Sequence, residues 1–252
     1  MQKSFLLALP LLFSVPAYGE LSMGDTNLSN VTVKSINTLG VATLSKVKTE
    51  EVSVTGPLTF KDLSVVHDGT ITGSVKGING QFENLTITGP FTFEGVSVHK
   101  DATLTGPVSG SKGYFGDLTV SGPLNATELL CQNLNVTGPV DVTKLAVRDK
   151  TVAVGNFTAN DSDFGDMTLT ANKTLFNKTT ARTLLIKKNS EVKSSFLSWF
   201  GDNSDENAQE LRLTNKSLIE ETVTFESGKG KIFLEEGSKI NGEIQGGVVQ
   251  KN

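Results

Sequence analysis

The sequence predicts an all-β protein, a β-solenoid (parallel β-helix) of triangular section with about 16–17 residues per coil. Three observations predict it. Thr or Ser followed by Gly, then Pro or once Ser, then an apolar residue recurs at Gly56, Gly73, Gly89, Gly106, Gly122 and Gly138, at intervals of 17, 16, 17, 16 and 16 residues. Apolar and polar residues alternate around each phrase, as in Leu85-Thr-Ile87-Thr-Gly-Pro-Phe91 and Leu118-Thr-Val120-Ser-Gly-Pro-Leu124, which is the period of a half-buried strand. A second element, an apolar residue three places before a strand residue, recurs at Phe60, Phe82, Phe93, Phe115, Cys131 and Phe164, at intervals of 22, 11, 22, 16 and 33. Both sets of spacings fit one coil of three sides, each about 5.5 residues long, with coils stacked at the ~4.8 Å strand spacing.

Taken in order, residues 1–19 have the layout of a secretory signal peptide: Lys3, the apolar run Phe5 to Val15, then Ala17-Tyr18-Gly19. Pro10 interrupts that run, which is about half the ~20 residues of a membrane span. The mature chain is therefore expected to begin near Glu20, without a transmembrane segment, and to be exported to periplasm, cell surface or medium. Residues 20–30 form an N-terminal segment, and 31–190 the solenoid repeats, with Val31-Thr-Val33 and Val52-Ser-Val54 as early members and Leu184-Leu-Ile186 as a late one. In each Gly-Pro corner, Gly permits the bend, Pro fixes φ and has no ladder donor, and the residue before Pro is kept extended. Residues 191–210 break the period as an irregular linker or short helix and hold the only tryptophan, in Phe196-Leu-Ser-Trp199-Phe200. Residues 211–252 are a β-rich unit that resumes the solenoid or caps it; the cadence Ile240-Asn-Gly-Glu-Ile244-Gln-Gly favours resumption.

Composition excludes several classes. A formal charge of −4 and a pI near 5.3, with no Lys/Arg cluster, argue against nucleic acid as a partner. Cys131 is the only cysteine, so no internal disulfide can staple the fold; in its coil it takes the place that Phe82 and Phe115 take in theirs, the place of a buried plug. His67 and His99 lie 32 residues apart, about two coils, with no cysteine or carboxylate cluster to complete a metal site. Asp62, Asp117 and Asp166 recur before a strand residue as Asn84 and Asn133 do, which suits a turn or an Asn/Asp ladder rather than paired catalytic acids. Neither a phosphate-binding glycine loop nor calcium-binding nonapeptides are written here. Catalytic, cofactor and metal residues are therefore expected to be none. Ten Asn-x-Ser/Thr sequons occur, from Asn27 to Asn215, and are read as the template of an Asn/Thr-rich repeat.

The period, the alternating Val, Ile and Leu and the recurrent Gly, with Gly228-Lys-Gly-Lys-Ile232 and Gly242-Glu-Ile244-Gln-Gly246, resemble the bactofilins, bacterial polymer-forming proteins built on a triangular β-helix. The resemblance covers residues 30–190 and 220–248 and implies that fold and a tendency to assemble. The leading expectation is an exported structural or surface protein without catalytic activity. Its expected partners are further copies of itself, met through the solenoid ends, and an envelope or host surface. A second reading is an adhesin or binding module with contacts at Trp199 and Phe200, or on one Thr-rich face. A remote third is a β-helical enzyme acting on glycans, which would need loops that build an acidic cleft.

Overall fold

The computed structural model describes residues 21–22, 24–188 and 209–250. Every strand pairing in it is parallel and joins one coil to the next, which makes a solenoid of about 12 turns with about 17 residues per turn. Each coil offers inward residues in pairs, separated by corners. In the coil that begins at Leu58, Leu58 and Phe60 line the first side, Leu63 and Val65 the second, and Gly69 and Ile71 the third. Four coils bend at two corners without losing strand character, so that Phe91–Thr105, Val108–Ser121, Leu124–Thr137 and Val140–Val154 each run as one strand.

The first corner is a column of glycines longer than the sequence phrase suggests. Gly24, Gly40, Gly56, Gly73, Gly89, Gly106, Gly122, Gly138 and Gly155 all have φ between +128° and +152°. From Gly40 onward, a Cβ at each would lie 2.1–2.7 Å from the carbonyl oxygen of the glycine one coil before it. Conformation and close backbone approach thus both demand glycine. Proline is optional in this corner. Gly56 N donates to Thr72 O at 2.8 Å and Leu58 N to Ser74 O at 2.9 Å, while Pro57, between these donors, only accepts, from Ala42 N.

The second corner turns on one left-handed residue per coil. Asn30, Lys46, Asp62, Asn79, Lys112, Glu128, Lys144, Asp161 and Lys178 have φ between +49° and +57°, and Gly95 fills the same place at +68°. A side chain in this conformation costs about 1–2 kcal/mol, and polar stacking between coils offsets part of it: Asn79 Nδ2 donates to Asp62 Oδ1 at 2.9 Å, and Lys178 Nζ lies 2.8 Å from Asp161.

The third corner takes up the difference between 16- and 17-residue coils. Register slips by one between Val98 and Asp101, and again between Val147 and Lys150, while both flanking sides stay aligned. Above those widened turns stand Gly116 and Gly165, where a Cβ would lie 2.4 Å from the carbonyl oxygens of Lys100 and Asp149. Phe60-x-x-Leu63 and Phe93-x-x-Val96 cross the second corner, whereas Phe82-x-x-Leu85, Phe115-x-x-Leu118 and Phe164-x-x-Met167 cross the third. That explains the intervals of 11 and 22 in one motif.

The core is a continuous apolar column. Phe82, Phe91, Phe115, Phe157 and Phe176 are among its largest fully buried side chains, and Phe157 meets Phe164 and Phe176 at centroid distances of 5.6 and 6.1 Å. Polar atoms enter it as a ladder on the second side. Ser162, Thr179, Ser217 and Ser238 are buried on successive coils; Thr179 N donates to Ser217 Oγ and Ser217 N to Ser238 Oγ, each at 3.1 Å. Beyond residue 209 the chain lies on the same stack: Glu210–Thr214 pairs with Lys173–Asn177, and Glu210 N donates to Asn172 O at 2.9 Å. The next pairings are offset by 21 residues, as in Leu211 with Ile232, and the turn around Gly228 at the first corner absorbs the excess.

Candidate functional site

Trp199 and Phe200, the residues singled out from sequence for binding, lie outside the described residues. The other sequence candidates fall on corners or in the core. Cys131 pairs with Phe115 in the strand ladder and is fully buried, and removal from water pushes its thiol up to about 12. A thiol held neutral in that way is a core plug rather than a nucleophile.

His67 and His99 both sit at the third corner, one coil either side of Glu83. His67 Nδ1 lies 3.3 Å from Glu83 Oε2, and Lys100 Nζ 2.7 Å from Glu83 Oε1; the Lys100 ammonium first, then His67, holds the Glu83 carboxyl below its usual range. His99 leans toward Tyr114 instead, at a centroid distance of 6.2 Å. Among the described residues, no three His, Cys, Asp or Glu side chains converge on a point where a metal could sit.

The recurrent acidic positions separate into two stacks. Asp68, Asn84, Asp101, Asp117 and Asn133 follow one another just after the third corner. There Asn84 Nδ2 donates to Asp68 at 2.9 Å and Asn133 Nδ2 to Asp117 at 2.8 Å. Asp62 belongs to the second corner, so its likeness to Asp117 in sequence is not a likeness in space. Asp166 ends the third-corner stack, where Arg182 grips it through Nε at 2.9 Å and, with Thr183, keeps its carboxyl low. These are amide-to-carboxylate and ion-pair ladders, the polar equivalent of cross-strand pairs.

Two surfaces remain. A shallow groove of about 570 Å³ follows the second corner between Asn30 and Ser97, lined by Lys46, Lys48 and the amides Asn79 and Gln81, with Asp62 its single carboxylate. The second surface is the outer face of the third side, where the Thr-rich face anticipated from sequence is found. Its outward residues run in two columns through Ser53, Thr70, Thr86, Thr103 and Thr119, and through Thr55, Thr72, Thr88, Thr105 and Ser121. Neither column carries a charge from Ser53 to Thr170, while the outward column beside them, next to the third corner, carries Asp68, Asp101, Asp117, Lys150 and Asp166. The first side presents Lys61, Lys76, Glu94 and Asp141.

Sequence reasoning missed the state of the two solenoid ends. Leu28, Val31 and Val33 in the first coil, and Leu234, Ile240 and Ile244 in the last, are inward hydrophobics that remain only partly buried. Their equivalents in the coils between are buried. Alternation alone cannot reveal this, since an inward residue reads the same whether or not a further coil covers it. Compared with protein families, with curated proteins and with solved structures, the chain matches none.

Proposed function

We propose that this chain is an exported structural rod without catalytic activity, which stacks end to end in the manner of the bactofilins it resembles. One observation carries the reading. The apolar column is open at both ends among the described residues, with Leu28, Val31 and Val33 at one and Leu234, Ile240 and Ile244 at the other. Among the described residues the last strands, Ile244–Gln245 and Gly247–Val249, have no pairing beyond them, and Val249, whose register partner Ile232 is buried, is 39 % exposed. One coil cannot bury its own inward face, so each end is completed by the opposite end of another copy, just as each interior coil is completed by its neighbour. Joining unlike ends is a heterologous contact, and repeated without closure it makes a filament. Assembly into a rod also suits coils that have, among the described residues, no loops long enough to build a catalytic cleft around the groove at Asp62.

Sedimentation velocity over a range of concentrations tests the reading, with a variant that places charge on the free end, Ile244→Lys with Val249→Lys. The parent protein is expected to form larger species as concentration rises, and the variant to stay monomeric with an unchanged circular dichroism spectrum. A parent that sediments as a monomer at every concentration sinks the proposal.

A further inference from the structure

The third side poses a question that a purely structural rod leaves unanswered. Thr70 and Thr72, Thr86 and Thr88, and Thr103 and Thr105 stand outward in straight register, and no hydroxyl among them bonds to another side chain or backbone group among the described residues. Strand geometry sets their grid at about 4.8 Å from coil to coil and about 6.7 Å from one Thr to the next along a strand. The one-residue slips of register fall in the third corner, before this side begins, and leave its columns straight. β-Branching restricts χ1 and orders the hydroxyls and methyls of a packed strand face.

The two columns themselves offer no charge that would steer a protein, and the acidic column that borders them at Asp68, Asp101 and Asp117 would repel a polyanion. The grid suits a ligand that is itself a lattice of hydrogen-bond donors and acceptors. Water held between neighbouring hydroxyls repeats with the spacing of the grid, and both spacings lie close to those of oxygen atoms on a prism face of hexagonal ice. Ordered waters bridge such groups at small entropic cost, while the threonine methyls between them leave the bridging waters few other partners. We infer that the outer face of the third side organises water into an ice-like layer and through it binds the surface of ice.

Ice-affinity partition and inhibition of ice recrystallisation by the purified full chain test this inference. The variant Thr86→Lys with Thr103→Lys disrupts the centre of the grid, and Thr59→Lys places the same side chain on the first side as a control. The parent and Thr59→Lys are expected to enter the ice fraction and arrest recrystallisation, and the double variant to lose both while keeping its thermal unfolding midpoint. A parent excluded from ice overturns the inference, as does a double variant as active as the parent. Adsorption to crystalline cellulose or chitin without any effect on ice would assign the face to a polysaccharide and also overturn it. Ice binding does not require filaments, so a monomeric parent that binds ice separates this inference from the assembly reading.

Discussion

Phe60 occupies the space of a side chain that Gly77 lacks: a Cβ on Gly77 would lie 2.1 Å from Phe60 Cζ. Gly77 is the residue paired with Phe60 one coil later, and Gly80 on the second side leaves room for the same ring, at 2.8 Å from Phe60 Cε2. The pairing recurs with Phe93 against Gly110, and Gly230 leaves room in the same way for the ring of Phe225, which precedes it across the first corner. Core volume is therefore conserved over pairs of coils rather than within each coil. Interiors packed to near-crystalline density tolerate little departure from such a match.

Gly77→Ala should destabilise the solenoid by about 2–3 kcal/mol through overpacking. Adding Phe60→Leu should recover more than half of that loss, because the clash is with the ring. Urea unfolding of the single and double variants measures the coupling, and additive losses would show that the two residues do not share the space.

Gly122→Ala meets a harder obstacle. Its φ of +147° is one that L side chains rarely adopt, and the new Cβ would lie 2.4 Å from Gly106 O, a backbone atom with no rotamer to yield. A loss of about 3 kcal/mol or more is expected, and substitution of the neighbouring proline, Pro123→Ala, should cost well under half as much. Comparable thermal midpoints for the two variants would contradict the assignment of the corner to glycine.

Ser217→Ala removes a hydroxyl that accepts from Thr179 N at 3.1 Å and lies 2.7 Å from Thr214 O. A buried backbone donor left unpaired costs about 1–3 kcal/mol. The same exchange at exposed Ser109, on the outer face of the first side, should change stability by less than about 0.5 kcal/mol. Amide hydrogen exchange at Thr179 gives a local reading, with faster exchange expected only in the Ser217 variant.

Cys131 gives the fold an alkaline limit. Its thiol titrates near 12 in the folded chain against 9.0 when free, so between those values the native state keeps a proton that the unfolded chain has released. The contribution is fully present below the lower value and is lost as pH rises toward the upper one, by about 1.4 kcal/mol per pH unit. Raising the pH from about 8 to about 10.5 should therefore lower the urea midpoint of the parent more than that of Cys131→Val. Equal losses would mean that the thiol is not buried. Alkylation should likewise be slow in the native protein and fast after denaturation.

The sequence carried the coil length and the first corner because both are written in residue types that have few substitutes: glycine where φ is positive and backbones touch, proline where no donor is needed. The second corner was illegible for the opposite reason. Asn30, Lys46, Asp62, Glu128 and Lys144 share one left-handed conformation but no side-chain chemistry, and only stacking against neighbouring coils selects it. Phe60 and Phe82 look like members of one motif yet sit before different corners, so spacing gave three sides without telling which corner each phenylalanine precedes. The Thr columns were visible as Leu-Thr-Ile-Thr, but their straight register from coil to coil became apparent only once the one-residue slips were placed in the third corner before them. The open ends left no mark in the alternation at all.

Electron cryo-microscopy of the concentrated protein tests end-to-end stacking most directly. The account predicts filaments one solenoid wide, in which strands continue across each junction at ~4.8 Å and protomers repeat about every 58 Å, the height of about 12 coils. Isolated rods at every concentration, or rods joined side by side with their ends free, would contradict it.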